Sequence, residues 1–569
     1  MLKKPRTVNL NTDYEIGDIP HNFYPRPHLK RDSFLTLNGE WDLSVLRGNN
    51  EILIGKVLVP FPVEAPIQSF SQNIELDDKL IYKRSFEFKK TNDKVLIHFG
   101  AVDCETEVFI NRRRVGSHSG GYLPFSFDIT DYISEGENEI CVTVTDYTDP
   151  DELYGKQKKK RGGMWYTPIS GIWQTVWLEE VPERYIERIK ITPSLDSVRL
   201  EVFGGSTDKR LIFEGNEYTF SGNEFVLKIE SPVLWTPENP HLYDFSIISG
   251  EDKIESYFAL REVTVGKKNG QSYILLNGEP YFFHGLLDQG YFPDGIYTPK
   301  SEKAFLDDIL RMKELGFNML RKHIKIEPDI FYYYCDKYGM AVFQDMVNNG
   351  KYSFFIDTAL PTLNIKKGLG RKRSEKKSRV FIESAKETQD LLYNHPSVVY
   401  YTIYNEGWGQ PEKRVVDKEY ELLKELDPTR SYDTASGWFK GVKSDVQSEH
   451  VYFKKVDYKV DRNTPCVLSE FGGYSYKVME HSFNLDKTFG YKKCADKGSF
   501  TADLENLYTN EILPMIDKGL CASVLTQVSD VEDETNGLLT YDRRVIKPDA
   551  SHMQAVSKAI YNRFGQKVK

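Results

Sequence analysis

The sequence predicts a multidomain fold in which two β-sandwiches precede a C-terminal (β/α)8 barrel. Three observations favour this fold: short strand-like runs before residue 266, strands alternating with helical segments after it, and a length of 569 residues, which exceeds what one ordinary core can hold. Hydrophobic residues make up 40% and charged residues 28% of the chain, as is typical of globular proteins.

The N-terminal half of the chain has the pattern of two sandwiches. From Gly39 to Val181, runs rich in Val, Ile, Phe and Trp are separated by Gly, Asn and Asp, which predicts a first β-sandwich over residues 1–183. Period-two alternation continues from Ile186 to Val265. This stretch fits a smaller, immunoglobulin-like sandwich over residues 184–266.

From residue 267 to residue 569 the alternation of strands and helices predicts a parallel barrel. A helix is expected from Pro299 to Leu315, with Thr298 as its cap and Gly316 after its end. A final helix is expected around Asp549 to Asn562, which would complete the barrel without a further C-terminal domain. Eight strand candidates make up the barrel: 281–287, 317–322, 340–344, 398–404, 431–436, 445–451, 465–469 and 522–528.

Two glutamates follow predicted barrel strands. Glu406 follows the fourth strand and Glu470 the seventh, and the C-terminal strand ends of such a barrel carry its catalytic groups. A retaining glycosidase needs two carboxyl groups about 5–5.5 Å apart, one to protonate the leaving oxygen and one to attack the anomeric carbon. The pair therefore indicates acid/base catalysis at a glycosidic bond. Either glutamate alone could instead cap a helix or pair with an arginine.

Short motifs support this interpretation along nearly the whole chain. The N-terminal part contains Asn38-Gly-Glu-Trp-Asp and Gly171-Ile-Trp-Gln-Thr-Val-Trp-Leu-Glu, and the barrel part contains Gly316-Phe-Asn-Met-Leu-Arg, Asn394-His-Pro-Ser-Val and Tyr404-Asn-Glu-Gly-Trp. By these motifs the chain resembles glycoside hydrolase family 2. The resemblance implies a jelly-roll N-terminal domain in a three-domain protein, with Glu406 as the acid/base and Glu470 as the nucleophile.

Further site residues follow from the same resemblance or from positions at predicted strand ends. Asn405 is expected to bind the sugar 2-hydroxyl, and Arg321 to orient the nucleophile. His323 is a weaker match, because the family usually has Arg-x-Ser-His where this chain has Arg321-Lys-His. Candidate sugar contacts, for each of which a structural role is the open alternative, are Asp288, Asp345, Trp438, His450 and Tyr452; the Tyr452 phenol could donate to the nucleophile, and Trp438 could stack on a sugar ring.

The catalytic pair does not identify the sugar. β-Galactosidase activity is the default expectation for the family, with β-glucuronidase or another family 2 β-glycosidase, such as a β-mannosidase, as the alternative. Glucuronidases commonly carry Asn-x-Lys after the nucleophile, and no such triplet follows Glu470. Residues 525–530 also lack the tryptophan that many members place near strand eight. A non-catalytic carbohydrate-binding protein is the alternative of another class, but such a protein would be expected to lack one of the two glutamates.

Composition limits the other function classes. The net charge of −9 argues against nucleic acid as a partner. No run of about 18–20 apolar residues predicts a membrane helix, and no signal peptide is visible, so a cytoplasmic location is expected. The six cysteines are expected to be free. No metal motif is present, so no metal or cofactor is expected. A homo-oligomer remains open.

Four segments bear on access to the site. The basic runs Lys156–Arg161 and Lys366–Arg379 are interpreted as solvated loops, with contact to an acidic substrate as the alternative. The predicted loops 345–380 and 471–498 are expected to close a narrow, exo-acting pocket.

Overall fold

The computed structural model describes residues 6–70, 74–75, 78–89, 91, 93–146, 151–353, 355, 357, 360 and 373–569. Residues 354, 356, 358, 359 and 361–372 of the predicted 345–380 loop, and with them half of the basic run Lys366–Arg379, therefore lie outside the described residues. The six cysteines are unpaired, as expected. Among the described residues, no helix combines the length and the apolar character needed to span a bilayer.

The N-terminal part is a β-sandwich of two antiparallel sheets. Buried and half-buried residues alternate along Gly136–Thr145, because successive side chains of a strand point to opposite faces. One sheet has the order Asn50–Val59, Gly39–Arg47, Lys79–Phe88, Gly136–Thr145, Glu105–Ile110, Arg113–Ser119, and the other Leu35–Thr36, Val176–Val181, Lys94–Phe99, Phe125–Asp128. A short pair, Val102–Asp103 with Gly171–Ile172, lies beside them.

The second sandwich is immunoglobulin-like, as predicted. Its core includes Ile186, Leu200 and Ile247, which are fully buried. Its sheets have the orders Ile186–Pro193, Ser197–Gly204, Glu224–Lys228 and Asn216–Ser221, Asp208–Phe213, Tyr243–Ser249, Asp252–Phe258. A three-stranded sheet, Val263–Lys268, Gln271–Leu276 and Glu279–Pro280, leads into the barrel.

Eight parallel strands form the barrel, which confirms the predicted fold class. The strand order 5-4-3-2-1-8-7-6 places each strand beside a sequence neighbour and the first beside the eighth. Every residue of the fourth and eighth strands is buried, as expected for strands covered on both faces. The strands are β1 Phe283–Asp288, β2 Met319–Lys322, β3 Ala341–Asp345, β4 Val398–Tyr404, β5 Ser431–Ala435, β6 Gln447–Val451, β7 Cys466–Gly472 and β8 Leu520–Thr526.

Helices surround these strands. They are α1 Lys303–Glu314, α2 Asp329–Tyr338, α3 Glu375–Leu392, α4 Lys413–Leu426, α5 Lys497–Leu507, α6 Leu513–Lys518 and α7 Ala550–Val568. The prediction that α1 begins at Pro299 is wrong. The Thr298 hydroxyl donates to the carbonyl of Trp173 in the first sandwich at 2.5 Å, so this segment joins two domains and does not cap the helix.

One segment of the first sandwich, residues 151–170, lies against the C-terminal end of the barrel. The Tyr154 hydroxyl donates to the Gly350 carbonyl at 2.6 Å. The Thr167 amide donates to the Glu532 carboxylate, beyond β8, at 3.0 Å. The sandwich therefore forms part of the barrel mouth.

Candidate active site

Glu406 lies in a tight turn directly after β4. Its backbone has φ 49° and ψ 21°, a left-handed conformation that non-glycine residues seldom adopt. The Glu406 amide donates to the Ser436 hydroxyl, just beyond β5, at 3.2 Å. Gly407 follows with φ +70°, and a Cβ there would come within 2.5 Å of the Phe439 ring. Glycine is therefore required at position 407 for this turn, which aims the Glu406 carboxyl inward.

Glu470 lies inside β7, whereas the sequence placed it after the strand. The β6–β7 register shifts so that Glu449 pairs with Leu468 but His450 pairs with Glu470. The extra residue, Ser469, makes this a β-bulge, a feature that re-aims side chains at barrel rims. The bulge turns the Glu470 carboxylate toward the barrel mouth.

The two glutamates face each other across the mouth. A carboxylate oxygen of Glu406, one of Glu470 and Nδ1 of His450 all lie within 4.8 Å of one another. Glu406 is 7% exposed and Glu470 5% exposed. An oxygen–oxygen separation of at most 4.8 Å agrees better with the about 5–5.5 Å between the carboxyl groups of retaining glycosidases than with the about 6.5–9.5 Å of inverting ones.

Glu470 is held ionised by the groups around it. Arg321 Nη1 donates to one of its oxygens at 2.9 Å, and the Tyr452 hydroxyl donates to the other. Burial alone would raise the pKa of Glu470, but His450 and Arg321 outweigh it and lower the pKa to about 2. At neutral pH this group is an aligned carboxylate, as a nucleophile requires.

The pKa of Glu406 is shifted in the opposite direction. Burial raises its pKa, and the Glu470 charge adds to the effect. His450 Nε2 lies 3.4 Å from the Arg321 guanidinium, which can only donate, so Nδ1 of this ring carries the hydrogen that reaches Glu406 Oε1 at 3.0 Å. Two neighbouring carboxyl groups with pKa values shifted in opposite directions are the pattern of an acid and a base.

Arg321 is fixed from several sides and is fully buried. Its Nε donates to Asp345 at 2.9 Å, and its Nη2 donates to the side-chain oxygen of Asn405 at 3.0 Å. Asp345 also accepts from His323 Nδ1 at 2.8 Å, and burial lowers the pKa of His323 to about 4. Arg321, held by Asp345, thus fixes the positions of Glu470 and Asn405.

Asn405 has an amide nitrogen left for a ligand. Its Oδ1 accepts from Arg321 and from the Ser436 hydroxyl at 3.1 Å, which fixes the orientation of the amide. Its Nδ2 has no hydrogen-bond partner within the part of the chain that the structure describes. A donor beside the glutamates agrees with the expected contact to the 2-hydroxyl, which stays a prediction.

The remaining predicted residues divide into two groups. His450 and Tyr452 contact the glutamates directly, and the half-buried Trp438 lies edge-on to the His450 ring at 5.6 Å. Asp288 is not brought to the pair, because its carboxylate is engaged by Lys322 at 2.7 Å. Asp288 therefore contributes to an ion pair beneath the site.

The sequence analysis missed several residues of the mouth. Trp165 stacks on Trp408 with ring centres 5.2 Å apart. Beyond β8, Glu534 accepts from the Tyr166 hydroxyl and from Gln527 Nε2, the latter at 3.2 Å. No local signal indicated that residues of the first sandwich would meet the barrel here.

Three clusters within the described ranges could hold a metal ion by the proximity of their ligand atoms: Glu406, His450, Glu470; His28, Asp336, His395; and Asp103, Cys104, Asp146. The first is the catalytic candidate itself. In the second, His395 Nδ1 lies 2.7 Å from Asp336, which also accepts from the Tyr257 hydroxyl at 2.7 Å. These contacts give the second cluster a structural role that does not require a metal.

Removing the Tyr452 hydroxyl is expected to slow the reaction. A hydrogen bond to a charged group contributes about 1.5–3 kcal/mol, so Tyr452→Phe should lower kcat/KM about 10- to 100-fold. The comparison is made by initial rates on an aryl β-glycoside, with Tyr458→Phe as the control, because the Tyr458 hydroxyl contacts Cys466 Sγ at 3.7 Å and lies outside the site. Equal rates for Tyr452→Phe and wild type would contradict this role.

Three family models match the chain. The model described as "Glycosyl hydrolases family 2, sugar binding domain" matches residues 18–182, "Glycosyl hydrolases family 2" matches residues 188–261, and "Glycosyl hydrolases family 2, TIM barrel domain" matches residues 268–469. Together they cover most of the chain.

Relatives and solved structures agree with these matches. A putative β-glucuronidase of Formosa agariphila is 24% identical over 71% of this chain and 51% of its own length, and a β-galactosidase of Leuconostoc mesenteroides is 26% identical over 70% and 38%. The chain thus spans about half the length of these relatives or less.

Solved structures share the fold. A β-D-glucuronidase structure from Dictyoglomus thermophilum has a TM-score of 0.75 at 20% identity, and the match covers 94% of this chain and 98% of that structure's chain. A β-galacturonidase structure from Eisenbergiella tayi, with galacturonate, has a TM-score of 0.68 at 19% identity, covering 95% and 99%. At these identities the structures show a shared fold.

Proposed function

The chain belongs to glycoside hydrolase family 2, and on that premise we propose that it is a retaining, exo-acting β-glycosidase with Glu406 as acid/base and Glu470 as nucleophile. One observation carries the proposal: two buried carboxyl groups face each other within 4.8 Å at the barrel mouth, with their pKa values shifted in opposite directions. Segment 151–170 covers one side of the mouth, which supports action at a chain end.

The mechanism has two displacements. Glu470 attacks the anomeric carbon while Glu406 donates its proton to the leaving oxygen, which forms a covalent glycosyl-enzyme. Glu406, now ionised, takes a proton from water, and that water releases the sugar from Glu470. Arg321 and Tyr452 hold the nucleophile in place by their hydrogen bonds, and Asn405 donates to the 2-hydroxyl.

The names of the relatives include β-galactosidase and β-glucuronidase, which supports β-galactose and β-glucuronic acid as the first candidate glycones, with the sugars of other family 2 β-glycosidases as alternatives. A non-catalytic carbohydrate-binding protein is disfavoured, because both glutamates are present with supporting hydrogen bonds that such a protein would not need. A panel of nitrophenyl β-glycosides (galactoside, glucuronide, glucoside, mannoside and arabinoside) identifies the sugar.

Retention of configuration is the expected outcome of the reaction. Because two inversions at the anomeric carbon cancel, the first product should be the β-anomer. Proton NMR during early turnover, before mutarotation, distinguishes the anomers by their H1 coupling. An α-anomer as the first product would rule out the double displacement.

A further inference from the structure

Lys156 brings a cation from the first sandwich into the barrel mouth. It belongs to the basic run that the sequence indicated as solvated, yet it is only 6% exposed. Its Nζ lies 4.8 Å from the Trp408 ring centre and 5.8 Å from that of Trp165. Within the described ranges of the chain, no carboxylate lies within 4.0 Å of this ammonium and no hydrogen bond reaches it.

The backbone around Lys156 is built to hold it there. Gly155 has φ +57°, and a Cβ at that position would come within 2.8 Å of the Tyr122 hydroxyl, so only glycine fits this turn. On the other side, Gln157 Nε2 donates to the same hydroxyl at 2.8 Å. Tyr154 is fastened to the barrel by its bond to Gly350. The lysine is thus positioned by both domains.

The ammonium shares its surroundings with the catalytic carboxyl groups. Burial lowers the pKa of Lys156, while the charges of Glu534, Glu470 and Glu406 act to raise it. The two tryptophan faces stabilise the cation, but in the described ranges no carboxylate lies within ion-pair distance of it, so the cost of its burial is only partly compensated. The ammonium therefore keeps its hydrogen-bond donors available to an anion from outside the protein.

Four other basic side chains on or after the barrel strand ends already have protein partners. Arg321 and Lys322 each donate to a carboxylate. Lys325 donates to a backbone carbonyl and Arg373 to a tyrosine hydroxyl. The ammonium of Lys158, in the same run as Lys156, also has no carboxylate or hydrogen-bond partner among the described residues, but Lys158 is half-buried, with its Nζ 3.9 Å from the Trp165 ring centre. Lys156 is the more deeply buried of the two cations.

We propose that Lys156 binds the carboxylate of a hexuronic acid, and that the substrate is a β-linked hexuronide. This inference rests on the proposed glycosidase function. The carboxylate of a hexuronic acid projects from C5, away from the carbon that Glu470 attacks, and so needs a partner beyond the catalytic pair. Without a cation, the carboxyl groups of Glu406, Glu470 and Glu534 would repel it. Lys156 would thus bind the sugar carboxylate in place of the Asn-x-Lys triplet, which does not follow Glu470 in this chain.

Kinetics on nitrophenyl β-glucuronide, β-galacturonide, β-glucoside and β-galactoside test the proposal. Wild type should prefer a hexuronide, and Lys156→Met should lower kcat/KM for it about 100-fold, the size of a lost charge-assisted hydrogen bond, with little change for neutral glycosides. Lys156→Arg should restore part of the loss. The matched control is Lys160→Met, because Lys160 is an exposed member of the same run.

Three outcomes would overturn the role of Lys156: a wild-type preference for neutral glycosides, no activity on either hexuronide, or a Lys156→Met loss that is equal on charged and neutral substrates. As a readout independent of variant folding, D-glucuronate or D-galacturonate should inhibit wild type more strongly than the matching neutral sugar, and equal inhibition contradicts the proposal. Failure of the glycosidase function itself has a different signature, since wild type would then turn over none of the four glycosides, charged or neutral.

Discussion

Glu470→Gln is expected to lower kcat by about 10⁴- to 10⁶-fold, the range found when other enzymes lose a covalent nucleophile. The amide keeps the size and one hydrogen-bond acceptor for Arg321, but it lacks the negative charge that attacks the anomeric carbon. The measurement is turnover of the best nitrophenyl β-glycoside, together with a thermal melt that verifies folding.

Glu449→Gln is the matched control for this variant. Glu449 lies on the adjacent strand β6 and pairs with Lys440 at 2.9 Å, away from the catalytic pair. Its substitution should leave turnover close to that of wild type. If Glu470→Gln and Glu449→Gln have similar rates in folded protein, Glu470 is not the nucleophile.

Glu406→Gln is expected to lower turnover by about 10²- to 10⁴-fold, the contribution typical of general acid–base catalysis. The loss should depend on the leaving group. An alkyl β-glycoside needs a proton on its departing oxygen, whereas a nitrophenolate leaves with little help. The ratio of the two rates in wild type and variant is the diagnostic measurement, and an equal loss on both substrates would contradict the acid role.

The pH profile supplies a second check on the same residue. Glu406 must be protonated to act, and burial raises its pKa, so activity is present below that pKa and is lost as the pH rises through it. The alkaline limb should be absent in Glu406→Gln. Glu470, with its pKa lowered to about 2, stays ionised under mildly acidic conditions and should produce no acid limb there.

Much of the barrel could be predicted because its strands carry their own signal. β4 and β8 are runs of mostly apolar residues, and strand counting then places Glu406 and Glu470 at the same rim. His450 and Tyr452 were found by the same logic. The position of Glu470 inside β7 was not, because a bulge depends on the pairing with β6.

Contacts between domains explain the remaining differences. Thr298 has the residue type of a helix cap, but a bond to the distant Trp173 carbonyl takes precedence. Lys156 belongs to a run of charges that resembles a solvated loop, and only the packing of segment 151–170 on the barrel buries it. Asp288 lies at the end of a barrel strand, where site residues were expected, but its carboxylate forms an ion pair with Lys322. Such long-range partners leave no periodic trace in the sequence.

In the proposed mechanism Glu470 forms a covalent bond to the sugar, while Glu406 first donates a proton to the leaving oxygen and then accepts one from water. This mechanism is tested most directly with a 2-deoxy-2-fluoro β-glycoside of the sugar that wild type prefers, carrying a good leaving group, because the fluorine slows release of the glycosyl-enzyme more than its formation. Peptide mapping by mass spectrometry should then find one sugar attached to Glu470. A sugar attached to Glu406 or to another residue, or steady turnover without any labelled peptide, would contradict the account.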